Sequence, residues 1–134
     1  MRHERADFTT REGNREVVDA ALERHGRLDA VIANAGFQHI APVPEFPEDR
    51  WDALIALLLT SPFLLAKYAW EALAASGDGR VCVIASAHAF AASPFKAGYV
   101  SAKHGVLGLV KTLALEGASV GISASACSAR RVAR

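Results

Sequence analysis

The chain has 134 residues, 51% hydrophobic and 22% charged, with a formal net charge of +1. That is ordinary for one soluble globular domain, and its basic residues are scattered, which argues against a nucleic-acid partner. Cys82 and Cys127 are too few for a disulfide framework or a zinc site and fit a reducing compartment, so the chain reads as cytoplasmic.

In chain order, Thr9 or Thr10 can cap a helix over Arg11–His25, where Val17, Val18, Ala21 and Leu22 recur at helical spacing and Gly26 supplies a stop. Leu28 to Ala33 is a short apolar run, as expected for a parallel strand covered on both faces, and Asn34-Ala35-Gly36 ends it. Pro42, Pro44 and Pro47 impose a loop. Glu48 to Ser76 predicts a long helix, bent at Pro62 and apolar through Trp51, Leu54, Ile55, Leu58, Leu59, Leu65 and Trp70. Its longest apolar stretch, Ala53 to Ala66, is interrupted by Thr60, Ser61 and Pro62 and falls short of the roughly 20 residues of a membrane span. The N-terminus has no apolar signal region, so neither membrane insertion nor export is expected. Gly77-Asp78-Gly79 is a turn, Arg80 to Ser86 a second buried strand, Gly98 to Glu116 a helix, and Val120 to about Ala126 the start of a third strand. Strands alternating with helices predict an α/β layer architecture around a parallel sheet.

The chemistry-bearing stretch is Ser86 to Lys103, SAHAFAASPFKAGYVSAK. Tyr99 and Lys103, four apart on one helix, share a face, so an ammonium can approach a phenol and favour the phenolate that exchanges protons with an alcohol. Ordinary residue usage alone produces a Tyr-x-x-x-Lys in roughly one chain of this size in five. The constellation is more specific. Asn34-Ala35-Gly36 at a strand end, Ser86 at the next strand end and Tyr99-x-x-x-Lys103 on a helix together resemble the short-chain dehydrogenase/reductase family, from about Ala6 to Ile122.

That resemblance implies part of a Rossmann-like doubly wound parallel sheet, with about three strands and flanking helices. It also implies hydride transfer to or from NAD, with NADP as the other candidate. In this likeness Tyr99 is the acid/base, Ser86 bonds the substrate oxygen, and Lys103 favours the phenolate and holds the nicotinamide ribose. Asp7, Asn34, Ala35 and Gly36 contribute to the cofactor cleft. Gly36-Phe37-Gln38-His39, Ser86-Ala87-His88 and Lys96-Ala97-Gly98-Tyr99 are most similar to the 3-hydroxybutyrate dehydrogenases of the family, which implies that Gln38, His88 and Lys96 bind a small carboxylate. An amide, an imidazole and an ammonium converging on one point do make an anion site; singly, they also read as a loop cap, a strand-end histidine and a solvated lysine.

Three departures qualify the likeness. Ile55 to Thr60 reads IALLLT, placing Leu58 where the family has an asparagine of its proton relay. No glycine-rich phosphate turn is present, because Gly77-Asp78-Gly79 precedes a strand and no third glycine opens a helix; such a unit occupies roughly fifty to sixty residues. The stretch SASACSARRVAR from Ser123 stands where the family continues with a Pro-Gly turn, which reads as a frame change or decayed gene, testable in the encoding DNA. The expected whole is therefore one incomplete domain with an uncovered strand edge, prone to associate through its two long helices. A 3-oxoacyl-carrier-protein-type reductase and a non-catalytic association subunit are the alternatives.

Overall fold

The computed structural model describes residues 5–128. Helix α1 (Arg11–His25) starts at Thr10, whose hydroxyl accepts from the Gly13 amide at 3.0 Å, and ends at Gly26 with φ 67°. Strand β1 (Ala30–Ala33) follows. After a proline-bounded loop, α2 (Glu48–Ile55) passes through a wide turn at Ala56–Thr60 into α3 (Ser61–Ser76). Strand β2 (Gly79–Ile84), helix α4 (Ala97–Gly117) and strand β3 (Ile122–Cys127) complete the order.

The sheet is parallel throughout, in the order β1-β2-β3. Ala30 pairs with Arg80 and Gly79 with Ile122. The chain thus forms part of a Rossmann-like sheet with flanking helices, as its sequence implies. The shift to alanine and serine at Ser123 does not interrupt it, since Ser123 to Cys127 stay in register with β2. The rest of that stretch, from residue 129, lies outside the described residues.

Coverage of the strands on both faces is not what these residues build. Val31, Val81, Val83 and Ile122 form one core with Val18 of α1, Leu65, Ala69 and Leu73 of α3, and Val106 and Val110 of α4. All three helices therefore sit on one face. Because side chains alternate along a strand, the other face takes Ile32, Arg80 and Ser123, and Ile32 is 67% exposed. A continuous apolar run carries no alternation from which this sidedness can be read.

The Pro62 bend takes a specific form. Proline has no amide to donate to Leu58, and just ahead of it the Ser61 amide bonds to the Ala56 carbonyl, five residues back, which widens the helix by one residue. Counted through this turn, Glu48–Ser76 is the long helix expected, 29 residues that by length and composition alone pass for a membrane span. Leu54, Leu64, Leu65, Ala66, Ala69 and Leu73 are nevertheless buried inside the protein, as in the core helix of a folded domain.

Candidate active site

The carboxyl end of β2 and the first turns of α4 meet around His88. Ser86 terminates β2 extended (φ −157°), and its Oγ accepts from the His88 amide at 3.2 Å. The imidazole Nδ1 lies 3.3 Å from the same oxygen, and its Nε2 lies 2.9 Å from Ser93 Oγ. The ring stands edge-on to Tyr99, centroids 5.7 Å apart. One turn on, Lys103 is only 7% exposed, its Nζ donates to the Ile84 carbonyl at 2.6 Å and sits 5.6 Å from the Tyr99 ring centre. Burial pushes the Lys103 pKa below its usual value.

Packing fixes the α4 end of this cluster. Gly98, just before Tyr99, lets α4 lie directly on α2, where a Cβ would meet Leu54 Cδ1 at 2.8 Å. Leu54, Leu58 and Ala102 form a second small core, with Phe37, Phe46 and Tyr99 against it. Leu58 is 2% exposed. At the position where a relay asparagine was expected, the side chain is thus an apolar support beneath Tyr99.

The remaining residues singled out in the sequence are arranged more loosely. Gln38 is exposed on the loop after β1, and Lys96 is half-buried at the start of α4. Their loops are joined by the Ala41 amide donating to the Phe95 carbonyl at 3.0 Å, and Phe95 adopts φ 67°, the one non-glycine with positive φ among the described residues. Asn34, Ala35 and Gly36 are exposed at the carboxyl end of β1. Asp7 is exposed and turned inward on its own loop: its carboxylate accepts from the Thr9 amide at 2.9 Å and the Thr9 hydroxyl at 2.6 Å, bonds that lower its pKa. Asn14, fully buried, holds that loop by donating to the Phe8 and Thr10 carbonyls and accepting from Ser61 on α3. His25, Lys67 and His104 are exposed.

An open cavity of about 120 Å³ is bordered by Asn34, Ala35, Leu58, Ile84 and Lys103. It lies outside the carboxyl ends of β1 and β2, where open α/β sheets bind their ligands. Most of its remaining wall, including Phe8, Ile32, Pro62 and Leu65, is apolar, and the sequence supplies no glycine-rich turn for a diphosphate.

The family model for short chain dehydrogenase matches residues 2–132. The chain belongs to the short-chain dehydrogenase family. Among curated relatives of this dehydrogenase chain, the D-beta-hydroxybutyrate dehydrogenase of Rhizobium meliloti (strain 1021) is 40% identical over 121 residues, covering 90% of the chain and 47% of the relative. The chain thus spans about half the length of that relative. Among solved structures, a metagenomic short-chain oxidoreductase in complex with NADP superimposes with a TM-score of 0.90 at 27% identity, covering 96% of the chain and 59% of the other. A gluconate 5-dehydrogenase from Burkholderia cenocepacia J2315, in complex with NADP and tartrate, gives 0.85 at 30% identity, covering 91% and 48%. In this short-chain dehydrogenase chain, the motif residues Ser86, Tyr99 and Lys103 each lie one contact from the next through His88 and the Tyr99 ring. Ser93 and Asn14 were not singled out in the sequence: a serine in an Ala-Ala-Ser-Pro loop and an asparagine inside a helix have no local signature of the bonds they make.

Proposed function

We propose that the chain is the catalytic segment of an NAD-dependent oxidoreductase acting on a small 3-hydroxy carboxylate of the 3-hydroxybutyrate kind. The 134 residues would be one incomplete domain, working in the cytoplasm, with the diphosphate-binding turn outside them. The observation that carries this reading is the gathering of Ser86, His88, Tyr99 and Lys103 at one strand end. Its substrate class is supported by the 40% identity to a D-beta-hydroxybutyrate dehydrogenase.

When bound, NAD supplies the hydride acceptor for the carbinol carbon. Tyr99 Oη takes the hydroxyl proton as the alcohol becomes a ketone, and Ser86 Oγ–H donates to the oxygen that remains. Lys103 has three donors and spends one on Ile84, leaving two for the nicotinamide ribose. Asn34, Ala35 and Gly36 line the cofactor side, with Asp7 toward the adenine. Gln38, His88 and Lys96 hold the carboxylate from the opposite side. For His88 this requires the imidazole to exchange its Ser93 bond for the substrate.

Isothermal calorimetry of the chain with NAD, followed by D-3-hydroxybutyrate, tests the reading. Saturable NAD binding is expected, and it would make Leu58→Asn, assayed for turnover, the next test. A folded chain that takes up no NAD would sink the catalytic reading and favour the non-catalytic subunit.

We also propose that copies associate through α3 and α4. Phe63 and Trp70 border a surface groove between these helices together with the charged Lys67, Glu71 and Glu116, and Phe63 and Leu115 are exposed apolar side chains on the same two helices that association would cover. Sedimentation velocity is expected to show a concentration-dependent dimer or larger species, and a monomer at every concentration would refute this.

A further inference from the structure

We propose that Cys82 and Cys127 form a modification site, a dithiol that a hydroperoxide converts into an intramolecular disulfide tying β2 to β3. The two sulfurs are 3.2 Å apart although 45 residues separate them in sequence. Cys82 is opposite Ser125 and Cys127 opposite Ile84, so the pair lies diagonally across adjacent strands. Both side chains occupy the sheet face turned away from α1, α3 and α4. In the 134-residue chain Cys127 is exposed and Cys82 half-buried, so an oxidant added to that chain can reach the pair. A disulfide bond is about 2.0 Å long, so an approach of roughly 1 Å closes it.

The chemistry follows from the difference in exposure. Cys127, as thiolate, attacks one peroxide oxygen; the O–O bond breaks, an alcohol or water leaves, and Cys127 becomes a sulfenic acid. The Cys82 sulfur then attacks the Cys127 sulfur, the S–O bond breaks, and water departs with the Cys82 proton. The two thiols lose two electrons, which the hydroperoxide gains. Cys82 suits the second role: its hydrogen bond with the Cys127 thiol, and then burial, raise its pKa and keep it protonated until its neighbour is oxidised. The closed ring encloses the whole of α4, including Tyr99 and Lys103, and ties β2 two residues before the Ile84 carbonyl that Lys103 holds.

The test reads thiol chemistry and not turnover, so its failure and that of the dehydrogenase reading are distinguishable. The reduced 134-residue chain is treated with hydrogen peroxide, alkylated with iodoacetamide, and examined by intact mass and peptide mapping. The expected result is a loss of two hydrogen masses, loss of alkylation at both cysteines, a Cys82–Cys127 cross-linked peptide, and reversal by dithiothreitol. In Cys127→Ser, no intramolecular mass loss is expected. Cysteines that remain alkylated, that progress to sulfinic or sulfonic acid, or that link only between chains would overturn the proposal. These readouts come from the unsubstituted chain, so misfolding of the variant does not blunt them.

Discussion

Tyr99→Phe is expected to lower the rate of NAD-dependent 3-hydroxybutyrate oxidation by about 10²- to 10⁴-fold, the usual contribution of a positioned acid/base. The substitution removes one oxygen and leaves the ring, which stands edge-on to His88 and packs on the Leu54, Leu58 and Ala102 cluster. The fold and the affinity for NAD should therefore be little changed. Rates from steady-state kinetics, with binding from calorimetry beside them, separate the two effects. A variant that keeps more than about a tenth of the rate would remove Tyr99 from the proton transfer and leave it a packing residue.

Lys103→Met is expected to weaken NAD binding by roughly 10- to 100-fold, the scale of lost hydrogen bonds to a charged donor. It should also change how stability depends on pH. Burial lowers the Lys103 pKa in the folded chain below the ordinary 10.5. Between those two values the unfolded chain binds more protons than the folded one, so the free energy of unfolding rises with pH there. The penalty for burying the ammonium is present in full below the folded pKa and is relieved as pH climbs through it toward 10.5. Wild-type protein should accordingly gain stability against urea on moving from neutral to alkaline pH, relative to Lys103→Met, which lacks the group. Parallel pH profiles for the two proteins would show that Lys103 is not the source.

How much of this was readable in advance depended on how local the signal is. The Thr10 cap and the Gly26 stop are short-range, and each helix or strand predicted from periodicity exists within a residue or two. The Tyr99–Lys103 proximity follows from their spacing on one helix, whereas the approach of Tyr99 to His88, which lies beside Ser86, depends on how α4 packs on α2 and β2; their roles stand as the proposal above. Sidedness was not legible, since Ala30–Ala33 is apolar at every position and only the helices decide which residues it buries. The wide turn at Ala56–Thr60 was hidden too, because a proline announces a lost hydrogen bond but not how the helix accommodates it. Asp7 presents a similar limit. Its motif position pointed to a cofactor contact, while the fold also gives its carboxylate two bonds to Thr9.

The parallel sheet has a consequence for the order of events as the chain leaves the ribosome. Within this segment, the pairing of Ala30 with Arg80 and of Gly79 with Ile122 becomes available only after the whole of α1 and Glu48–Ser76 has been synthesised. Loop-closure entropy makes such distant pairings late and slow. In that interval the 29-residue apolar helix has α1 to lie against, through Val18 and the Ser61–Asn14 bond, but no pairing of β1 with β2 beneath it, and chaperone capture competes with folding.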